Sequence, residues 1–470
     1  MFLGREIELS GLADAVAKPG GRAKVIVLTG RRRVGKSTLI EQFSSAQKKL
    51  SFYQVTGKAP QKENRKINEL KHLSYQIQST FDVPRPVLYE WDDALYAMAS
   101  YVKGGNCILM IDEMNWFGKT HDDMPGSLFT LWELKLKGIK GLTLILTGSL
   151  AGWIQQYIIE NAGWYGRISW QHTLQPLPLK DALAIIPKAI RTRLSNHEKM
   201  RFILTAGGVP AYLEQFDFHQ PFDLNIQRLA FSQEGYFYNE FDILMTDLFR
   251  SKAQRIEDIL LFLNTKIRTA NDISQHLKMN KPNGYLYETL EMMEKSAFIA
   301  SVKKWDLKKG KRIDRDPYYF ICDPYLRFYL KAVLPQKDQI AKNIGKIPSN
   351  IDSLLGFQFE HIVRQNINVV FAALRISASD VTYYAPYNNS GVQIDLLIET
   401  NRSFYLVELK YYAGLVPGRV ITDIKQKLDR FGLSHNKSVK TAIMHVNGAE
   451  DAVINSEYVD FCENIFDHLV

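Results

Sequence analysis

Short apolar runs alternate with amphipathic stretches over the first third of the chain, and the alternation predicts a covered sheet. Val25–Leu28 and Cys107–Ile111 are uninterrupted, and Leu142–Leu146 is broken only by Thr143. Runs of this length, bounded by glycines or acids, read as strands buried on both faces of a parallel sheet. Leu50–Val55 reads as a further strand, and Lys62–Thr80 and Trp91–Tyr101 as helices. Strands alternating with helices imply right-handed crossovers, with ligands gathering at the carboxyl ends of the strands. From Gln254 the pattern changes. Ile256, Ile259, Leu260 and Leu263 keep helical spacing, Thr269 starts a capped second helix, and Tyr285–Lys295 gives a third. Phe298–Val302 and Pro317–Ile321 then flank a basic hairpin tip, which is the order of a winged helix. Near the end, Gln393–Glu399 and Phe404–Lys410 form two strand-like runs separated by four residues.

The first of these strands leads into Gly30-Arg31-Arg32-Arg33-Val34-Gly35-Lys36-Ser37, which fits GxxxxGK[ST] in its strand-loop-helix setting. Such a loop curls its backbone N–H groups toward phosphates, and the following helix adds its partial positive charge. Lys36 is expected at the β- and γ-phosphates of ATP and the Ser37 hydroxyl on Mg²⁺. The candidate nucleotide contacts are Gly30, Arg33, Val34, Gly35, Lys36, Ser37 and Thr38. The run Arg31–Arg33, taken as a charge cluster, reads as a solvated loop tip. At the end of the second core strand, Asp112 is placed to hold Mg²⁺ through water and Glu113 to polarise the attacking water, a pairing that argues for hydrolysis. Thr147 or Ser149, closing the third, is a candidate γ-phosphate sensor, although Ser149 fits a helix cap equally well. His121-Asp122-Asp123 reads as a solvated loop.

With the phosphate loop in place, Phe2-Leu3-Gly4-Arg5-Glu6-Ile7-Glu8 gains meaning. It resembles the N-terminal box of AAA-like, signal-transducing ATPases of the archaeal ATPase family, which implies that Arg5 lines the adenine side of the site. Tyr165-Gly166-Arg167-Ile168 resembles the same family's arginine-bearing stretch. Arg167 then becomes an arginine finger, and a homo-oligomer follows if it acts in trans. Ala206-Gly207-Gly208-Val209-Pro210-Ala211-Tyr212-Leu213 resembles the family's helical lid, and Cys322–Tyr329 its join to a C-terminal region.

The C-terminal runs carry a second chemistry. If the hairpin turns about Asn401 and Arg402, Asp395 lies opposite Glu408, and Lys410 shares their face. Three ionisable groups on two apolar strands predict an open site, because burial without a ligand is costly. The set resembles the PD-(D/E)xK nucleases, with Ile394 in place of the name-giving proline. The resemblance implies that Asp395 and Glu408 hold Mg²⁺, and that Lys410 orients or helps to deprotonate water. Glu360 matches the acid of the preceding helix and Gln426 the polar residue of the following one.

Composition adjusts this picture little. A net charge of +9, from 59 basic and 50 acidic residues, permits an anionic partner such as nucleic acid without requiring one. Lys303, Lys304, Lys308, Lys309, Lys311, Arg312 and Arg315 at the hairpin tip are placed to grip phosphates. Three scattered cysteines make neither a disulfide framework nor a zinc site. No apolar run reaches the roughly 18 residues of a membrane helix. Met1–Arg5 is no signal peptide, so a cytoplasmic protein is expected.

The expected fold class is α/β. It comprises a P-loop ATPase core (1–175), a helical lid (176–250), a winged helix (251–335) and a restriction-endonuclease-like domain (336–470). The leading expectation is an ATPase coupled to a Mg²⁺-dependent DNA nuclease, acting in defence or genome maintenance. The rival is a nucleotide-dependent switch that binds nucleic acid or a protein and cuts nothing. A transcription regulator acting through the winged helix is a third option.

Overall fold

The structure is a computed structural model that describes residues 2–17, 21–47, 49–58, 65–102, 105–118, 123–149, 153–249, 252–306, 311–389, 391–431 and 436–469. His121 and Asp122 lie outside them, as do Lys308 and Lys309 and the side chains of Lys304, Lys311, Arg312 and Arg315. The chain divides into two compact units, Met1–Pro176 with Glu288–Ala297, and Leu177–Tyr287 with Phe298–Val470.

The first unit is built on a five-stranded parallel sheet of β1 (Lys24–Gly30), β2 (Ser51–Thr56), β3 (Cys107–Asp112), β4 (Leu142–Gly148) and β5 (Ile168–Leu174), in the order β2-β3-β4-β1-β5. The period of two sorts each apolar run onto two faces. Val25, Val27, Leu109, Ile111, Leu144 and Leu146 join the helices Arg65–Phe81, Trp91–Tyr101 and Met124–Leu134 in one core. Ile26, Leu28, Ile108, Met110 and Ile145 join the helices Glu6–Ala17 and Lys36–Ser45 in the other. Burying each such side chain contributes about 2 kcal/mol, so both faces must be covered and the runs show no polar alternation. β5 was not foreseen from the hydrophobic pattern because ISWQHTL is only half-buried at the sheet edge and lacks an apolar run.

In the second unit, Leu177 accepts no side chain opposite it. A Cβ on Gly208 would stand 2.0 Å from the Leu177 carbonyl oxygen, and Leu177 donates its N–H to the Gly208 carbonyl at 2.7 Å. The double glycine before Pro210 thus serves close backbone packing. Farther on, the helices Ala253–Leu263, Ala270–His276 and Gly284–Lys295 accompany an antiparallel sheet of β6 (Arg268–Thr269), β7 (Ile299–Asp306) and β8 (Lys311–Ile321), ordered β6-β8-β7. Only Gly284–Tyr287 of the third helix belongs to this unit.

The unit ends in a mixed five-stranded sheet, β9 (Val381–Asn389), β10 (Val392–Thr400), β11 (Ser403–Lys410), β12 (Ser438–His445) and β13 (Phe461–Asn464), in the order β13-β12-β11-β10-β9. β9, β10 and β11 run antiparallel, while β12 and β13 join parallel to β11. The helix Val420–Phe431 seals one face, where Leu428 and Phe431 pack against Leu397, Phe404 and Leu406. Among the described residues no helix is long and apolar enough to cross a membrane. Cys107, Cys322 and Cys462 are all free thiols.

Candidate functional site

The phosphate loop springs from the carboxyl end of β1, as its strand-loop-helix pattern requires. Gly30 (φ 153°) and Gly35 (φ 91°) hold backbone angles that side chains disfavour. A Cβ on Gly30 would also strike the Leu174 carbonyl oxygen at 2.7 Å, whereas one on Gly35 would enter open space at the mouth of the loop. Non-glycine Arg33 is held at φ 71°, a conformation that costs on the order of 1 kcal/mol. Val34 is buried and Thr38 is exposed on the first turn of the helix.

Five polar side chains converge beneath the loop. Ser37 Oγ donates to Asp112 Oδ2 at 2.6 Å, and Thr147 Oγ1 donates to the other Asp112 oxygen. Lys36 Nζ donates to the carbonyls of Gly30 and Arg31 at 3.3 and 3.2 Å and lies 3.8 Å from Glu113 Oε1. The hydroxyl and carboxylate at Ser37 and Asp112 form the hard oxygen set that Mg²⁺ prefers. Thr147 is built here as the lock that orients Asp112.

Arg5 lies against the phosphate loop. Its buried guanidinium pairs with Glu8 at 2.9 Å and donates to the Val34 carbonyl at 3.2 Å, so it braces the phosphate loop. Arg167 sits immediately before β5, whose first residue aligns with Val25 at the amino end of β1. Gly30 closes the other end five residues on, about 17 Å away at strand rise. The structure therefore does not bring Arg167 to its own phosphate loop. It pairs instead with Glu133 at 2.7 Å and lies over the Phe129 ring.

The C-terminal cluster is assembled by the β10–β11 hairpin. Leu396 opposes Val407, Leu397 opposes Leu406 and Glu399 opposes Phe404, so the next pair in register is Asp395 with Glu408. Lys410 Nζ donates to Glu408 Oε2 at 2.8 Å and stands 3.7 Å from Asp395 Oδ2, while the Leu409 N–H donates to the same Asp395 oxygen at 3.0 Å. The three groups share one face.

Two expectations are corrected. The cluster is closed rather than open, with Glu408 only 2% exposed, because Lys427 Nζ holds Glu408 Oε1 at 2.5 Å. Gln426 is exposed and does not face the cluster. At 100° per residue it lies roughly 200° from Ile424, on the far side of the helix, while Lys427 flanks the buried stripe. The spacing of Val420, Ile424, Leu428 and Phe431 was the signal that could have singled out Lys427. Glu360 approaches through Arg364, whose Nη1 lies 3.4 Å from Glu360 Oε2 and donates to the Asp395 carbonyl at 3.1 Å. Among the described residues no three His, Cys, Asp or Glu side chains converge as a metal cage. The oxygens of Asp395 and Glu408, completed by water, remain a donor set suited to Mg²⁺.

Electrostatics set the protonation of this cluster. Burial by itself pulls the Lys410 ammonium down, but the Glu408 and Asp395 carboxylates outweigh it and hold the group above its ordinary range. Burial, and then the Asp395 charge, push Glu360 up against the opposing pull of Arg364.

Residues 2–216 match the family model of an ATPase domain predominantly from Archaea. A Walker-type ATPase of Pyrococcus abyssi shares the fold at 20% identity, with a TM-score of 0.51 over 70% of this chain and 96% of that one. The ORC2 protein of Aeropyrum pernix, solved as ADPNP–ADP complexes, matches at 15% identity with a TM-score of 0.41 over 75% and 93% of the two chains. Cdc6p of Pyrobaculum aerophilum matches at 13% identity with a TM-score of 0.33 over 77% and 94%. No curated protein matches the chain. The N-terminal part is thus a P-loop ATPase domain of α/β fold. More particularly, residues 2–216 are similar to an ATPase domain of the archaeal type, and the cofactors are ATP and Mg²⁺.

Proposed function

We propose that this chain is an ATP-gated, Mg²⁺-dependent nuclease that acts on DNA as a homo-oligomer. In the ATPase core, Lys36 receives the β- and γ-phosphates, Ser37 and Asp112 hold Mg²⁺, and Glu113 orients the water for hydrolysis. Arg167 serves the site of a neighbouring copy, a reading supported by its distance from its own loop. The three helices and small sheet of residues 251–335 act as a winged helix. Residues 336–470 act as the PD-(D/E)xK-like cutting domain.

The observation that carries the nuclease half is the single Lys410 ammonium set between Glu408, at 2.8 Å, and Asp395, at 3.7 Å. Asp395 and Glu408 would hold the Mg²⁺, which supplies charge stabilisation and acidifies bound water. Lys410 orients the attacking water or helps to deprotonate it, and offsets charge on the phosphate. A second reading has its own support. Both Glu408 oxygens are engaged by lysines, which suits a nuclease fold kept for binding within a nucleotide-dependent switch.

The two readings separate on incubation of the full chain with DNA and Mg²⁺, with and without ATP. Cleavage lost in Asp395→Ala and Lys410→Ala supports the nuclease. Cleavage that survives both substitutions, or is absent from the wild type, removes it.

A further inference from the structure

We propose that Arg327 and Lys331 form a seat for a backbone phosphate of a nucleic-acid strand, next to the Asp395–Glu408–Lys410 cluster. The strand as the source of that phosphate rests on the nuclease reading; free phosphate would offer the same oxygens.

The stretch Cys322–Tyr329 builds the seat. Asp323 caps the short helix Pro324–Phe328 by accepting the Leu326 N–H at 2.8 Å, and a further turn, Tyr329–Val333, continues it. Pro324, Tyr325, Leu326, Phe328 and Tyr329 are all buried. Arg327 is the one charged position of that helix, and the core around it fixes its backbone. Its guanidinium lies over the Phe357 ring of the helix Ile351–Gln365, 5.5 Å from the centroid, which holds it in place. Lys331 follows four residues on, about one helical turn away.

Unbalanced charge is what points to a ligand. Arg327 and Lys331 are half-buried, yet among the described residues neither side chain makes a hydrogen bond or stands at ion-pair distance from an acid. The carboxylate that attracts Arg327 is Glu360, which Arg364 already holds at 3.4 Å. Phe357, Glu360 and Arg364 are spaced three and four apart and share one face of their helix, so three cations surround one acid. Burial pulls Arg327 below its ordinary range, with Glu360 opposing and Arg364 adding to the effect; burial and then Arg327 pull Lys331 down. An arginine stays charged through such a shift. A desolvated cation without its anion is costly, and phosphate oxygens suit the guanidinium fork and the ammonium together. Both side chains keep a solvent-facing part, so an incoming anion can reach them.

The seat adjoins the cluster through Arg364, which holds Glu360 and donates to the Asp395 carbonyl at 3.1 Å. A strand gripped at Arg327 carries a neighbouring phosphate toward Asp395 and Glu408. The role of Arg327 and Lys331 is to bind and position, because the phosphate they grip is not the one that is cut.

The test titrates the full chain, without divalent metal, with a fluorescent DNA duplex at several salt concentrations and, separately, with inorganic phosphate by calorimetry. Arg327→Gln and Lys331→Gln should each weaken DNA binding and lower the slope of log affinity against log salt by about 0.9, the loss of one phosphate contact. Arg327→Lys keeps the charge and should restore most of that slope, whereas loss of the Phe357 packing alone would leave the slope unmoved. Phosphate binding that Arg327→Gln removes, with the DNA slope unchanged, assigns the seat to free phosphate; the phosphate loop contributes equally to both proteins. An unchanged slope together with equal phosphate titrations overturns the proposal. If Mg²⁺-dependent cleavage still requires Asp395 in that case, the nuclease reading stands and the seat alone fails. A lowered slope in a chain that cuts nothing supports the seat and removes the nuclease reading alone.

Discussion

Lys427 Nζ holds Glu408 Oε1 at 2.5 Å across 19 residues of sequence, so the buried acid is shared between a helix lysine and Lys410 of its own strand. Replacing Lys427 by Met leaves one Glu408 oxygen without its cation, at a cost of about 2 kcal/mol. A lower urea midpoint with an unchanged slope is expected. An unaltered midpoint would show that Lys427 is only a solvated neighbour.

The tie between Ser37 and Asp112 sets a prediction for the ATPase core. Lys36→Ala should abolish ATP turnover. Glu113→Gln should keep nucleotide affinity while kcat falls about 10²–10⁴-fold, as expected when the group orienting water is lost. Phosphate release and nucleotide titration measure the two effects, and turnover that persists in Glu113→Gln assigns the role elsewhere.

Arg167, at the amino end of β5, makes the in-trans role testable. Arg167→Ala should bind ATP normally and lose on the order of 10³-fold in turnover. Mixing it with the inactive Lys36→Ala chain should restore part of the rate, because a Lys36→Ala subunit donates an intact Arg167 to a neighbour's intact loop. No gain on mixing contradicts the shared site.

His445 supplies a pH prediction. Its Nδ1 accepts the Gly448 N–H at 3.0 Å, which requires the unprotonated nitrogen, and burial lowers its pKa despite Asp467 and Glu463. The unfolded chain therefore binds the proton more readily than the folded one, and stability rises with pH in that window. The contribution is fully present above pH of about 6.5 and is lost below it. Replacing His445 by Gln should flatten the fall in urea midpoint between pH of about 8 and about 5. A parallel fall in both proteins would refute the assignment.

Much of this was legible beforehand, for identifiable reasons. Gly30, Lys36, Ser37 and Asp112 lie at strand ends, where an apolar run stops and chemistry starts. The opposition of Asp395 and Glu408 followed from counting across a two-residue turn. Gln426 was misjudged because a motif names a residue without the direction of its side chain. Gln426 turns outward.

The sequence by itself determined the apolar core strands β1, β3, β4, β10 and β11 and which of their residues share a strand face, because side-chain alternation along an extended backbone is local geometry. Only the tertiary structure decided what sits opposite those faces. It set Lys427 on Glu408, Arg364 against the Asp395 carbonyl and Arg167 at the far end of the sheet from Gly30. Such pairings join segments far apart in the chain, and packing of whole elements, not spacing along them, brings the partners together.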